Sequence, residues 1–250
     1  MQRKAVIVTT RVFELFPNFH RGVVVASDIH VAEDNPLLAR MLTEAQERCA
    51  IRLREDVQPA ELGLWEEAYH RFNCNPRKFR PAVCQLADRI RQNSRPLPFI
   101  NEAVCIFNIT SLASLRPCGG DDADRIAGDL VLDMAKGDES FEPLGRPGVV
   151  ERPEPGEIVY VDSISKSVMC RRMNWKNGHP TRITKNTKNL LINVDGLNDP
   201  AETRRATEKL ASLLKEICGG SVEVGFLDTH SPCIDVTFPE TMDRMNPSPV

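Results

Sequence analysis

Apolar residues change period partway along this chain, and that change constrains the fold more than any other feature. After two short apolar runs at Ala5–Thr9 and Val23–Ser27, joined by a turn in FELFPNFHRG, they recur at helical spacing as far as Arg91. Asn35 followed by Pro36 reads as an N-cap and first-turn proline, with Leu38, Met41, Leu42, Ala45 and Cys49 on one face behind it. Further helices are expected from Pro59 to about Phe72 and from Pro81 to about Arg91. Asn101 to Leu115 is apolar enough for a buried helix, although its β-branched residues leave a strand open. Beyond Asp122 the apolar residues come in short strand-like runs, LVLDMA, EIVYVD, SVMCRRM and LLINVDG, cut by turns such as GRPGVVERPEPGE. One more helix is expected behind Asp199-Pro200-Ala201-Glu202, which reads as a capping box, and it stops at Gly219-Gly220. Two strands, SVEVGFLD and IDVTF, close the pattern. Helices and strands segregated in this way predict an α+β fold rather than a parallel βαβ sheet, and the lack of a repeat or linker predicts a single domain over residues 1–250.

The longest apolar runs, such as Ala103–Phe107, are far short of a membrane span, and the N-terminal Met-Gln-Arg-Lys lacks the features of a secretory signal. A cytoplasmic protein with no membrane partner is the expectation. The eight cysteines form no C-x-x-C pair and the five histidines no H-E-x-x-H, so no metal site is expected. Phosphate-binding glycine motifs and G-x-S-x-G are also missing, and Asp228, His230 and Ser231 sit too close together for a relay. No cofactor is expected. Cys118 before Gly119-Gly120 reads as a thiol on a mobile turn, and the Asp121-Asp122-Ala123-Asp124 cluster as a turn or helix start without EF-hand spacing.

Net charge is only −3, from 32 Lys and Arg against 35 Asp and Glu, yet it is unevenly placed. Ser163 to Val194 carries Lys166, Arg171, Arg172, Lys176, Arg182, Lys185 and Lys188 with no acid at all. Arg71 to Arg95 carries seven cations against Asp88 alone, whereas Asp121 to Glu157 is acidic. Gathered on one side, the basic segments would attract a phosphate backbone; the alternative is solvated faces paired with the acidic stretch. Trp175, between Asn174 and Lys176, offers a stacking platform or an element of the core.

The ordered segments FPNFHRGVVVA, WEEAYHRFNCNPRKFRPAVCQLADRIR, LPFINEAVCIFNITSLASLRPCGGDD, GDESFEPLG, PGEIVYVD, VMCRRMNWK and LINVDGL, over most of residues 13 to 197, resemble the B3/B4 domain of the bacterial phenylalanyl-tRNA synthetase β subunit, especially its free-standing relatives. That resemblance implies a β-sandwich-like core flanked by helices, and an editing site that hydrolyses the ester between a wrong amino acid and the terminal adenosine of tRNA. A free-standing copy then resembles a trans-editing deacylase with tRNA as its partner. One activity among such relatives, removal of canavanine from arginine tRNA, makes canavanyl-tRNA the specific substrate implied.

Carried over by position, the family's Thr-Asn pair falls on Phe107 and Asn108, its histidine on Gly119, and its late glutamate near Asn193, with Asp195 two residues on. The missing threonine and histidine put unchanged pocket chemistry in doubt. The catalytic residues expected are Asn108, for orienting water or carbonyl, Gly119 and Gly120, whose N–H groups would approach the ester, and Asp195; Asp122 or Asp195 would recognise a cationic acyl side chain. Phe107 and Asn193 would help hold the substrate. Arg171 and Arg172 would face the acceptor-end phosphates, while Asn174 and Trp175, with Lys176 beside them, would contact the adenosine. A non-catalytic tRNA-binding module is the alternative, and a protein that binds or hydrolyses small amino-acid compounds a third.

Overall fold

Local signals place most helix starts. In the computed structural model, which describes residues 2–92 and 96–239, Asn35 Oδ1 accepts from the Leu38 N–H at 3.0 Å and opens α2 (Pro36–Glu55). Before it lies α1 (Thr10–Leu15), a short helix occupying the start of the segment expected to be a turn. Then come α3 (Ala60–Arg71), α4 (Ala82–Arg91) and α5 (Glu102–Ser114), the last capped by Asn101 and ended by Leu115 in the left-handed region at φ 54°. The ambiguity over residues 101 to 115 is therefore settled as a helix. α6 (Pro200–Cys218) starts with Asp199 Oδ1 accepting from Glu202 N–H at 3.0 Å, but Glu202 turns to Arg205 rather than back to the cap, so only half of the capping box forms. Arg95, counted in the second basic segment, lies outside the described residues.

The strands are β1 (Gln2–Val8), β2 (His20–Ser27), β3 (Cys118–Asp122), β4 (Leu130–Met134), β5 (Ile158–Asp162), β6 (Val168–Arg171), β7 (Lys176–Asn177), β8 (Leu190–Gly196), β9 (Ser221–Leu227) and β10 (Cys233–Phe238). They form a six-stranded sheet, β10-β1-β4-β5-β6-β7, and a four-stranded sheet, β3-β8-β2-β9. Only the β1–β4 pairing is parallel among these ladders. The α+β class is as expected, but helices and strands are less segregated than the sequence implies, because β1 and β2 insert among strands made much later.

One face of the four-stranded sheet takes helices. A Cβ on Gly22 would collide with Thr207 of α6, and one on Gly196 with Thr203, so α6 lies almost on the backbone there. Its other face meets the six-stranded sheet, since Arg21 of β2 and Asp195 of β8 both reach Tyr160 of β5. A continuous apolar core runs through both sheets and the helices, from Val6 and Val23 to Leu38, Tyr69, Ile106, Ile192 and Leu214.

Among the described residues no helix is long and apolar enough to cross a membrane, and no group of three His, Cys, Asp or Glu is placed to hold a metal ion.

Candidate functional site

Cys118–Asp122 corrects the sequence reading most consequentially: the segment expected to be a mobile turn is an edge strand. Gly119 pairs with Asn193, and Asp121 with Leu191, so Gly119, Asp121, Asn193 and Asp195 share the face turned toward the other sheet. Above that face lies a cavity of about 330 Å³, within the range of small-molecule sites. β3 and β8 contribute Gly119, Gly120, Asp121, Asn193 and Asp195; Tyr160 and Cys170 come from the six-stranded sheet; Asn174, Trp175, Lys176 and Asn177 close it from one side.

The two glycines do different things. A Cβ on Gly119 would point into open space, with Asn177 Nδ2 the nearest atom at 4.0 Å. A Cβ on Gly120 would lie 2.9 Å from Ile192 Cγ1, so what this residue offers the cavity is backbone. Asp195 N–H donates to the Pro117 carbonyl, and Asp122 N–H donates away from β8 to the Thr181 carbonyl. Antiparallel alternation then commits the N–H of Gly119 to β8 and turns that of Gly120 to the outer edge. Of the two N–H groups expected to approach an ester, only that of Gly120 faces the edge.

The wall bearing Asn174 and Trp175 is a tight corner between β6 and β7. Arg172 and Met173 both have positive φ, 48° and 65°, a costly conformation that persists only where its surroundings enforce it. Enforcement is thorough. The Tyr69 hydroxyl is shared between the Arg172 carbonyl at 2.7 Å and Asn174 Oδ1 at 3.0 Å, and Ala82 N–H donates to the Asn174 carbonyl. Arg172 stacks on Phe79, 3.6 Å from the ring centroid, and on Trp175 at 5.1 Å. With Asn174 Oδ1 engaged, its buried Nδ2 is left without a partner, as is the buried Oδ1 of Asn193. A donor and an acceptor with no internal partner therefore belong to two residues that line one cavity.

Two carboxylates line the cavity in contrasting states. Asp195 is locked, accepting from Arg21 Nε at 2.8 Å and from the Tyr160 hydroxyl at 2.5 Å. Burial opposes the Arg21 charge, but Asp195 and Tyr160 more than offset it and raise its pKa. Asp121 has no such cation among the described residues. Burial, aided by the charge of Asp122, pushes its pKa up to about 7, while a 2.6 Å hydrogen bond from the Thr181 hydroxyl pulls the other way.

Seven residues expected at the site thus come together: Gly119, Gly120, Asp195, Asn193, Asn174, Trp175 and Lys176. Others do not. Phe107 is buried in the core and Asn108 half-buried on α5, and neither lines the cavity. Asp122 alternates to the opposite side of β3 from Asp121, accepts from Thr187 and borders a separate surface hollow with His30 and Lys188. Arg171 and Arg172 do not face outward to phosphates. Both are buried, Arg171 bidentate on Glu157 at 2.8 and 2.7 Å and Arg172 within 3.4 Å of the same carboxylate. Cys118 is half-buried, with its thiol pKa raised by burial and by Asp195, which opposes nucleophilic use. The sequence reading missed Asp121, Tyr160 and Arg21. Alternation with Gly119 would have disclosed Asp121 once the segment was read as a strand; the other two carry no local signal.

The chain matches the model of the B3/4 domain family over residues 64–219, more than half its length, and belongs to that family. The match takes in β3, β8 and the Asn174 corner, but not β2 with Arg21. Among solved structures, the chain is similar to an N-terminal fragment of the phenylalanyl-tRNA synthetase β subunit from Pyrococcus horikoshii, at 17% identity and a TM-score of 0.45, over 87% of this chain and 49% of that one. It thus spans about half the length of that fragment. No curated protein matches it.

Proposed function

We propose that this chain is a trans-editing deacylase, hydrolysing the ester between a wrong amino acid and the terminal adenosine of tRNA. Membership of the B3/4 family, together with the editing site that the synthetase resemblance implies, supports the reading. The observation that carries it is the cavity itself, floored by a glycine with no side chain and lined by Asn174 and Asn193, of which Asn174 Nδ2 and Asn193 Oδ1 are buried without a partner. An activated ester needs a positioned water, a held carbonyl and a donor where negative charge develops. In this reading the Gly120 N–H is that donor, the two asparagines hold the acyl end, and Trp175 meets the adenosine. Lys176, Arg182 and Lys188, which carry no carboxylate partner among the described residues, would draw in the acceptor stem.

Canavanyl-tRNA for arginine is the specific substrate the resemblance suggests. Asp122 and Asp195, expected to read its side chain, are respectively outside the cavity and held by Arg21, so neither is placed to read it. The test is to incubate purified protein with a panel of mischarged tRNAs, canavanyl-tRNA included, and follow ester loss. Faster loss than in buffer for at least one pair is the expected result; none for any pair removes the reading.

The second reading, a tRNA-binding module without catalysis, is favoured by the lack of an imidazole at Gly119. It requires salt-sensitive tRNA binding with an unchanged ester half-life.

A further inference from the structure

We propose that Asp121 is the proton-transferring residue of the reaction in this cavity, an inference that rests on the deacylase reading. Its side chain lines the cavity on the same strand face as Gly119, two residues away, where no side chain stands between it and a bound ester. Oδ1 accepts from Thr181, and Oδ2 has no hydrogen-bond partner among the described residues. That leaves one carboxyl oxygen open to a water molecule.

The surroundings separate Asp121 from the other carboxylate of the site. Asp195 on β8 has both carboxyl oxygens engaged, Oδ1 by Arg21 and Oδ2 by Arg21 and the Tyr160 hydroxyl. The ionisable groups around Asp121 are Asp122 on its own strand, the Cys170 thiol on β6, and Lys176 on β7, which lies over the Trp175 ring. The only carboxylate of α5, packed across β3, is Glu102, and it is occupied by Ala32 N–H and Asn35. Among the described residues no arginine or lysine forms an ion pair with Asp121. A pKa of about 7 therefore lets the group take up and release a proton under ordinary conditions.

In the reaction so assigned, a water oxygen attacks the ester carbonyl carbon and its proton passes to Asp121 Oδ2. The carbonyl electron pair, displaced onto oxygen beside the Gly120 N–H, returns and expels the ribose oxygen. That oxygen takes the proton back from Asp121, so the products are the free amino acid and a tRNA with its terminal hydroxyl restored.

Single-turnover deacylation of the best substrate of the panel, from about pH 5 to 9, tests the assignment. The wild-type rate should rise with pH and level off above about 7. Asp121→Asn, which can still accept from Thr181, should lower the maximal rate roughly 100- to 10,000-fold, with little change in KM and loss of the pH dependence. Thr181→Val removes the hydrogen bond that favours the carboxylate and should shift the rise to higher pH, a displacement that a purely structural role would not give. An Asp121→Asn enzyme with an unchanged rate and pH profile, or one whose loss is confined to KM, overturns the proton-transfer role while the deacylase reading stands. A wild-type protein inactive on every ester overturns both.

Discussion

A methyl group at position 119 and one at position 120 would meet opposite surroundings. The first enters the cavity with 4.0 Å to spare, and the second runs into Ile192 and the Leu191 carbonyl at 2.9 and 3.0 Å. Gly119→Ala should therefore fold with a stability within about 0.5 kcal/mol of wild type, yet lose turnover because the methyl occupies substrate space. Gly120→Ala should cost about 1 to 3 kcal/mol through overpacking. Urea unfolding alongside deacylation separates the two. Equal destabilisation by both variants would show that the cavity floor is misassigned. Position 119 also shows the limit of transfer from a resemblance: it lines the cavity, but it brings no imidazole there.

At the scale of elements, β3 and the corner at residues 172–175 make the site, and neither is regular structure that periodicity announces. β3 is only five residues long, CGGDD, without a β-branched residue, and it is a strand because β8 supplies a ladder for it. The corner keeps two left-handed residues because Tyr69, Phe79 and Ala82, from α3, α4 and the segment between them, brace it. Helix α5, packed on β3, depends in turn on its cap. Asn101 Oδ1 accepts from Val104 N–H at 2.9 Å, and its Nδ2 donates to the Ile183 carbonyl at 3.3 Å. Asn101→Ala should cost about 1 to 2 kcal/mol in urea unfolding, while the variant that remains folded deacylates at the wild-type rate, since Asn101 does not line the cavity. A loss of turnover without a loss of stability would contradict this.

For the molecule as a whole, the buried carboxyl of Asp121 ties stability to pH. Its folded value of about 7 lies above the 3.8 of an ordinary Asp, so the folded state holds a proton that the unfolded chain releases. Its contribution is most favourable below about pH 3.8 and is lost as pH rises through about 7. Asp121→Asn removes that titration. It should be more stable than wild type by about 2 to 4 kcal/mol at about pH 8, with the difference closing toward about pH 4. Unfolding curves at the two pH values check it; a constant difference would mean that Asp121 ionises as freely in the folded protein as in the unfolded chain. A site group that destabilises the fold in its charged form is a common cost of function.

Helices α2 to α6, their caps at Asn35 and Asp199, and most strands were legible in the sequence, because capping and amphipathic spacing are set by residues within a turn or two of each other. The ordered family segments pointed to Gly119, Asn193, Asp195 and the Asn174–Lys176 stretch before any packing was known. The sequence could not disclose that Arg171 and Arg172 face inward to Glu157, that Asp121 and Asp122 part to opposite sides of a strand, or that Arg21 clamps Asp195 from 174 residues away. Those outcomes depend on which strand lies beside which and on where a charge finds its partner. Such pairings act across the whole chain and leave no period or spacing in it, so only the tertiary structure decides them.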